Sequence, residues 1–362
     1  MAKKELKIPY QKLIDQHRQI LKSLQKPSGL FIAAKQDVAT GYDKAWLRDN
    51  FYECLAFEVL DDWEVVLKTY RAILDIFIKH EDKIDYAIAR KPGHTHEYIH
   101  ARYHPETFAE FWEEWGNKQN DAIGAILFKI GQLEHVHGLG LIKNRADERI
   151  VQKLVDYLVS IEYWQDPDNG VWEEAEELHA SSVGACVAGL KSIRQLSFVS
   201  VPDDLIEKGE RTLARLLPRE SAKKFVDLAL LTLIYPYRVV TDLQAQEILA
   251  NVEYHLLRKR GVIRYKGDHY YNKNRDGHSE EAEWCFGVSW LAIIHKLLGD
   301  EEKAREFMER ALATITSDGE IPELYFSNSA RFNDNTPLGW AESMFVIALY
   351  YYQQKNLTRP KS

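Results

Sequence analysis

Apolar side chains recur along this chain at spacings of three and four, in about twelve stretches broken by polar runs, and that period permits little besides packed helices. The first stretch runs from Tyr10 to Leu24, with Leu13, Ile14, His17, Ile20, Leu21 and Leu24 on one stripe, and Pro27-Ser28-Gly29 ends it. Further helices are expected over 49–57, 63–77, 119–131, 146–163, 180–196 and 203–216, with a turn at Asp61-Asp62. The pattern resumes over 242–257 with Thr241 as a cap, then over 280–298, 301–315 and 338–353. Residues 30–33 and 226–234 are short apolar runs of undecided period. Strand patterns are nearly absent, and no linker, tight repeat or low-complexity tract divides the 362 residues. The pattern predicts an all-α single domain over 1–362, its N-terminal helix (1–28) part of the helical body or packed on it.

Between the helices, loops bring acids and aromatics together. The turn Asp166-Pro167-Asp168-Asn169-Gly170 leads into Val171-Trp172-Glu173-Glu174, and Asp318-Gly319-Glu320 leads into Ile321-Pro322-Glu323-Leu324-Tyr325. Two acids on loop ends, each beside aromatic rings, suit a site that protonates one face of a sugar and activates water on the other. A carboxyl beside Trp loses solvation, so its neutral form is favoured and its pKa is expected to rise. Taken singly, each Glu equally fits a solvated loop carboxylate. The 9 Trp, 19 Tyr and 14 Phe would serve sugar stacking, or simply a large helical core.

Other function classes are set aside on charge and motif. A formal net charge of −8 argues against a nucleic-acid or anionic-membrane surface. The three cysteines, Cys54, Cys186 and Cys285, sit in apolar helical patterns and read as reduced, buried thiols. The first residues lack the apolar core of a signal peptide, and the longest apolar run, 286–298, is interrupted by Ser289 and His295, so a cytoplasmic protein is expected. Residues 80–104 read as a long polar loop with His80, His94, His96, His100 and His104, more suited to a lid than to zinc because Pro92-Gly93 and Pro105 break any helix that would align the imidazoles. No DxDxDG loop supports calcium, Gly138-Leu139-Gly140 is no phosphate cradle, and Ser181-Ser182 is no nucleophile elbow. No metal and no cofactor is implied.

Read together, the loops run Ala45-Trp46-Leu47-Arg48-Asp49-Asn50, then Trp115-Gly116-Asn117 with Gln119-Asn120-Asp121-Ala122, then Gly170-Val171-Trp172-Glu173 and Ala180-Ser181-Ser182-Val183-Gly184. Ile263-Arg264-Tyr265 with Gly267-Asp268 follows, then the Glu323 segment and Asn333-Asp334-Asn335-Thr336-Pro337-Leu338-Gly339-Trp340. The series, spanning about 29–349, resembles the glucoamylase family (glycoside hydrolase family 15), and more closely the glucoamylase-like domain of phosphorylase kinase α and β subunits. The resemblance implies an (α/α)6 barrel, a six-hairpin toroid, and inverting exo-hydrolysis of α-glucosidic bonds. It implies Glu173 as general acid and Glu323 as general base, their carboxyls about 6.5–9.5 Å apart to hold a water between acid and base. By position it implies that Arg48 and Asp49 grip the terminal glucose and that Trp115 stacks on the sugar or shields the acid. Trp46, Asp121, Trp172, Glu174, Arg264, Trp284 and Trp340 are implied as further cleft residues.

The sequence departs from many relatives: no β-sandwich precedes the helices, no starch-binding module is present, Pro337-Leu338-Gly339-Trp340 continues into Ala341-Glu342-Ser343, and Glu283-Trp284 stands where Pro-Trp is common. The expected partner is an oligosaccharide or α-glucoside. The competing reading is a sugar-sensing regulatory module with little turnover, disfavoured because both acids are present and nothing after the helices reads as acting on a partner kinase. Which linkage is cut and the oligomeric state stay open.

Overall fold

The computed structural model describes residues 10–35, 38, 40–271 and 280–354. The first nine residues, on which the signal-peptide reading falls, and residues 272–279 lie outside the described residues.

Helices α2 (Leu47–Val59), α5 (Asn120–Gly131), α7 (Ala180–Ile193), α10 (Cys285–Leu298) and α12 (Gly339–Gln353) are buried on nearly every side. A helix apolar all round must lie inside other elements. Helices α1 (Tyr10–Leu24), α3 (Trp63–Lys79), α6 (Arg145–Ile161), α8 (Asp203–Leu216), α9 (Asp242–Leu256) and α11 (Glu301–Leu312) bury one stripe each and form an outer layer. Inner neighbours contact in the order α12, α2, α5, α7, and α10 meets α12. The sixth inner place is taken by a 3-10 turn, Leu228–Leu233, which packs on α7 and α9 and reaches α10 where Leu228 faces Gly287. Each inner element packs mainly on one outer element: α1 on α12, α3 on α2, α6 on α5, α8 on α7, α9 on the 3-10 turn and α11 on α10. Outer and inner elements alternate along the chain, which gives the (α/α)6 barrel expected from the resemblance.

Most predicted helices hold to within a few residues, and the Thr241 cap is a capping box with Gln244. Two differ. The stretch 226–234 is neither strand nor α-helix but the short 3-10 turn, capped by Asp227. The stretch 80–104, read as loop, contains α4 (Glu81–Ala89), a polar helix that buries only Ile84 and Ala87 against α6. Too little apolar stripe is left for periodicity to reveal it. His96, His100 and His104 share no helix: a 3-10 turn (Thr95–Glu97) and β2 (Arg102–Tyr103) separate them.

Among the described residues, four two-residue strands tie loops across the mouth of the barrel. β1 (Ala45–Trp46) pairs antiparallel with β2, Trp46 opposite Arg102; β3 (Glu283–Trp284) pairs antiparallel with β4 (Leu324–Tyr325), Trp284 opposite Leu324. All three cysteines are free and buried. Among the described residues no helix is long and apolar enough to cross a membrane.

Candidate active site

The inner helices run in parallel, so their N-terminal ends meet at one mouth of the ring, and the sequence-predicted residues lie there. Trp46, Arg48 and Asp49 open α2, Asp121 opens α5, Trp284 precedes α10 and Trp340 opens α12. The turn carrying Trp172, Glu173 and Glu174 precedes α7, and Glu323 directly precedes β4.

The 169–174 turn is locked from both sides. Asn169 accepts from the Lys118 amide at 3.1 Å and donates to the Glu174 carbonyl at 2.6 Å, while its own amide donates to the Lys118 carbonyl. Glu173 is thereby held at φ +61, a left-handed conformation that costs a non-glycine residue free energy and is kept only where surrounding contacts enforce it. Its carboxylate accepts from Trp115 Nε1 at 2.7 Å, Gln119 Nε2 at 2.8 Å and, more loosely, Arg48 Nη1 at 3.4 Å. The indole against this carboxyl is therefore that of Trp115. The neighbouring Trp172 turns the other way and donates to buried Asp227 at 2.8 Å.

Arg48, 3% exposed, forks onto Asp121 through Nε at 2.6 Å and Nη2 at 3.1 Å, and Nη2 also donates to Gln119 Oε1 and the Gly170 carbonyl. The close ion pair is thus Arg48–Asp121. The Asp49 carboxyl, one residue on, is met by its own backbone amide. Burial is the main force pushing the Asp49 carboxyl up to about 7; Arg48 opposes it, and the charges of both Glu173 and Glu323 add to it. A chain of contacts joins the two candidate acids: Glu173 holds the Trp115 indole, Trp115 meets Trp46 at 6.2 Å, and Trp46 meets Tyr42, the donor to Glu323, at 5.5 Å.

Glu323 is 1% exposed. Asn333 and Asn335 donate to its Oε2 at 2.5 and 2.7 Å, and the Tyr42 hydroxyl donates to Oε1 at 3.0 Å. Burial raises its pKa above the usual carboxylate value, while the two amides, Tyr42 and Arg264 pull it back. Glu174 is the opposite case. Burial works against its charge, but Arg264 and Lys224 (each at 2.9 Å) with the Tyr265 hydroxyl outweigh it and hold its pKa below the usual range. Arg264 is itself fixed by a bidentate pair with Asp268 at 2.7 and 2.6 Å and lies under the Trp284, Tyr270 and Trp172 rings. Trp172, Phe286 and Trp340 continue as a stack, with Tyr52 behind Trp340 at 4.3 Å.

The structure therefore brings the carboxylates, Arg48, Arg264 and the indoles named for the cleft to one mouth, with Trp340 in the aromatic wall. Sequence reasoning missed Tyr42, Arg102, Lys224, Asp227 and Tyr270, and did not assign Asn333 and Asn335 to Glu323. Arg102 sits 3.6 Å over the Trp115 ring and fixes the indole that holds Glu173. Only the Asn-Asp-Asn run carried a signal that could have been read, as closely spaced amides near a proposed base. Among the described residues no group of three or more His, Cys, Asp or Glu is arranged to hold a metal ion.

Fold and site define a ring of six helical hairpins with one mouth lined by carboxylates and indoles. The profile of glycosyl hydrolases family 15 matches residues 10–348, and the chain belongs to that family. It is 26% identical to the phosphorylase b kinase regulatory subunit alpha, liver isoform, of Mus musculus, over 84% of this chain and 30% of the relative. The probable phosphorylase b kinase regulatory subunit alpha of Caenorhabditis elegans is 26% identical over 92% of this chain and 32% of the relative. The chain thus spans about a third of the length of these relatives. Among solved structures, a wild-type glycosidase superposes with a TM-score of 0.80 at 20% identity, covering 95% of this chain and 96% of that one. A bacterial glucoamylase complexed with acarbose gives 0.72 at 16% identity over 94% and 55% of the respective chains. At such identities the structural likeness is one of fold.

Proposed function

We propose that this chain is an inverting, exo-acting α-glucosidase, with Glu173 as general acid and Glu323 as general base. The observation that carries the reading is that two carboxyls on opposite loops, Glu173 on the locked turn and Glu323 beneath Tyr42, flank one aromatic wall in which Trp46 touches both Trp115 and Tyr42. Glu173 gives its proton to the glycosidic oxygen as the C1–O bond breaks. Glu323 takes a proton from the water whose oxygen bonds to C1 from the other face, so one water is consumed and the configuration at C1 inverts. The neutral amide donors of Asn333 and Asn335 pull against the burial that raises the Glu323 pKa, which favours the charged form a base needs.

Asp49, beside Arg48 at the start of α2, accepts from hydroxyls of the terminal glucose. Arg48 spends most of its donors on Asp121, Gln119 and Gly170, and its part is to aim Nη1 at Glu173 and the reacting sugar. Trp46, Trp115, Trp172, Trp284 and Trp340 supply the apolar faces, and Glu174 with Arg264 a polar rim. Glu173→Gln and Glu323→Gln are expected to lower glucose release from maltose or isomaltose by at least about 100-fold while sugar binding persists. Normal turnover in either variant would remove that residue from the chemistry.

A specific observation favours a second reading, a sugar-binding regulatory module: the sequence relatives are named as regulatory subunits. Saturable maltose binding by calorimetry, with no glucose released by the unsubstituted protein, would establish it in place of the first.

A further inference from the structure

The barrel has a second mouth. Five inner helices put their N-terminal ends at the carboxylate cleft, so their C-terminal ends meet at the opposite end of the ring. There a cavity of about 1050 Å³ is lined by Glu58 at the end of α2, Phe128 and Lys129 at the end of α5, Ser192 at the end of α7 and Tyr351 at the end of α12. This is the size of an ordinary small-molecule pocket. It does not run through to the cleft: Phe51 stacks on Tyr237, and Tyr52, which contacts Tyr237 by a side-chain hydrogen bond, closes the axis behind Trp340.

The lining is neither an apolar leftover nor a solvated rim. Lys129 is 2% exposed and donates to Glu58 Oε2 at 2.6 Å and Gln132 Oε1 at 2.7 Å. The other oxygen, Glu58 Oε1, is buried with no hydrogen-bond partner. A buried carboxylate oxygen without a donor is costly, so the Glu58 carboxylate keeps unmet hydrogen-bonding capacity at the pocket wall. Directly beyond Gly131 the helix widens into a π-turn, Gln132–Val136, a distortion common at functional sites, and it brings Gln132 and His135 to the pocket. Trp63, in contact with His137 at 4.6 Å, and the rings of Phe128 and Tyr237 give flat apolar walls.

Charge decides the class of ligand. Lys129 is paired with Glu58 and Lys191, also on the lining, with Glu210 at 2.6 Å, and the third lining cation, Arg238, is matched in the lining by Asp61, so the pocket offers a phosphate no excess of positive charge. Amide and carboxylate groups between aromatic faces instead suit a ring that carries many hydroxyls and no charge. We infer that this second mouth is a binding site for a neutral polyhydroxylated ring, a mono- or disaccharide, whose hydroxyls meet the polar lining of Glu58, Gln132 and Ser192 while its face lies against Trp63.

The test follows indole N–H signals of the ¹⁵N-labelled full chain during titration with D-glucose and then maltose. Trp63 reports the second mouth; Trp115 and Trp172 report the cleft. The expected result is a saturable shift of the Trp63 signal that is lost in Glu58→Gln, and lost also in Gln195→Trp. The latter fills the pocket from an exposed position and so leaves the fold intact even where Glu58→Gln does not. A Trp63 signal unmoved by both sugars, or a shift that survives Gln195→Trp, overturns the inference. The outcomes for the two ends are separate: cleft indoles that do not respond, with Trp63 responding, would count against the glucosidase reading and leave this site standing.

Discussion

Around Glu323 the balance between burial and hydrogen bonding sets what the residue can do. Its pKa is raised by burial and restrained by Asn335, Asn333 and Tyr42. A base with a raised pKa loses activity as pH falls through that pKa, so the acid limb of kcat/KM should lie above the pH expected of a free carboxylate. Asn335→Ala removes one donor to Oε2 and leaves burial unchanged. The expected outcome is a further upward shift of the acid limb with the alkaline limb in place, read from a pH profile of kcat/KM. An acid limb that stays put or moves down would show that Glu323 is not the group titrating there. The same local balance explains what the sequence could reveal of this site. Glu173 and Glu323 were legible because turns and flanking aromatics mark them. The partners of Glu323 were not, because Tyr42 lies 281 positions away and only the folded ring brings it into contact. Trp172 misled for a related reason: adjacency along the chain suggested that its indole shields Glu173, but at φ +61 the backbone turns the two side chains apart.

At the scale of elements, the inner helices pack most tightly where side chains vanish. A Cβ on Gly189 would lie 2.4 Å from the Gly124 carbonyl oxygen, and one on Gly124 would lie 2.4 Å from the Ala185 backbone. Helices α5 and α7 therefore meet backbone to backbone, which draws Asp121 and the Glu173 turn to the same mouth. Gly189→Ala should push the helices apart and destabilise the fold by about 1–3 kcal/mol, as overpacking of a tight core does. Urea unfolding checks this; unchanged stability would mean the contact is looser than drawn. Helical periodicity revealed α5 and α7 well because they are long and continuously apolar. It missed α4, whose two buried residues make no stripe, and left the Leu228–Leu233 turn undecided because six residues span too few turns to show a period. The closed ring itself was legible only through the family resemblance, since period fixes which face is buried and not which neighbour covers it.

Across the whole molecule, buried ionisable groups should make stability fall on the alkaline side. Burial disfavours the His179 cation, but the Glu220 hydrogen bond and the charges of Asp168 and Glu220 prevail and push it up to about 9. A histidine raised in the folded state contributes fully below its unfolded value near 6.5, and that contribution, on the order of 3 kcal/mol, is lost as pH rises through about 9. Asp168, pushed up to about 7 chiefly by burial, acts in the same sense, since folding favours its protonated form and that advantage is gone above pH 7. Thermal midpoints should therefore drop between pH 6.5 and 9, and His179→Gln should flatten that drop; an equally steep slope in the variant would assign the loss elsewhere. The His179 ring packs against Gly170 in the turn that carries Glu173, so the same network bears on the proposed chemistry. The most direct test of that chemistry is anomer-resolved proton NMR of maltose incubated with the unsubstituted protein and with Glu173→Gln. The account predicts β-glucose as the first product of the unsubstituted protein and none from the variant. Early α-glucose, or equal turnover by both proteins, would contradict it.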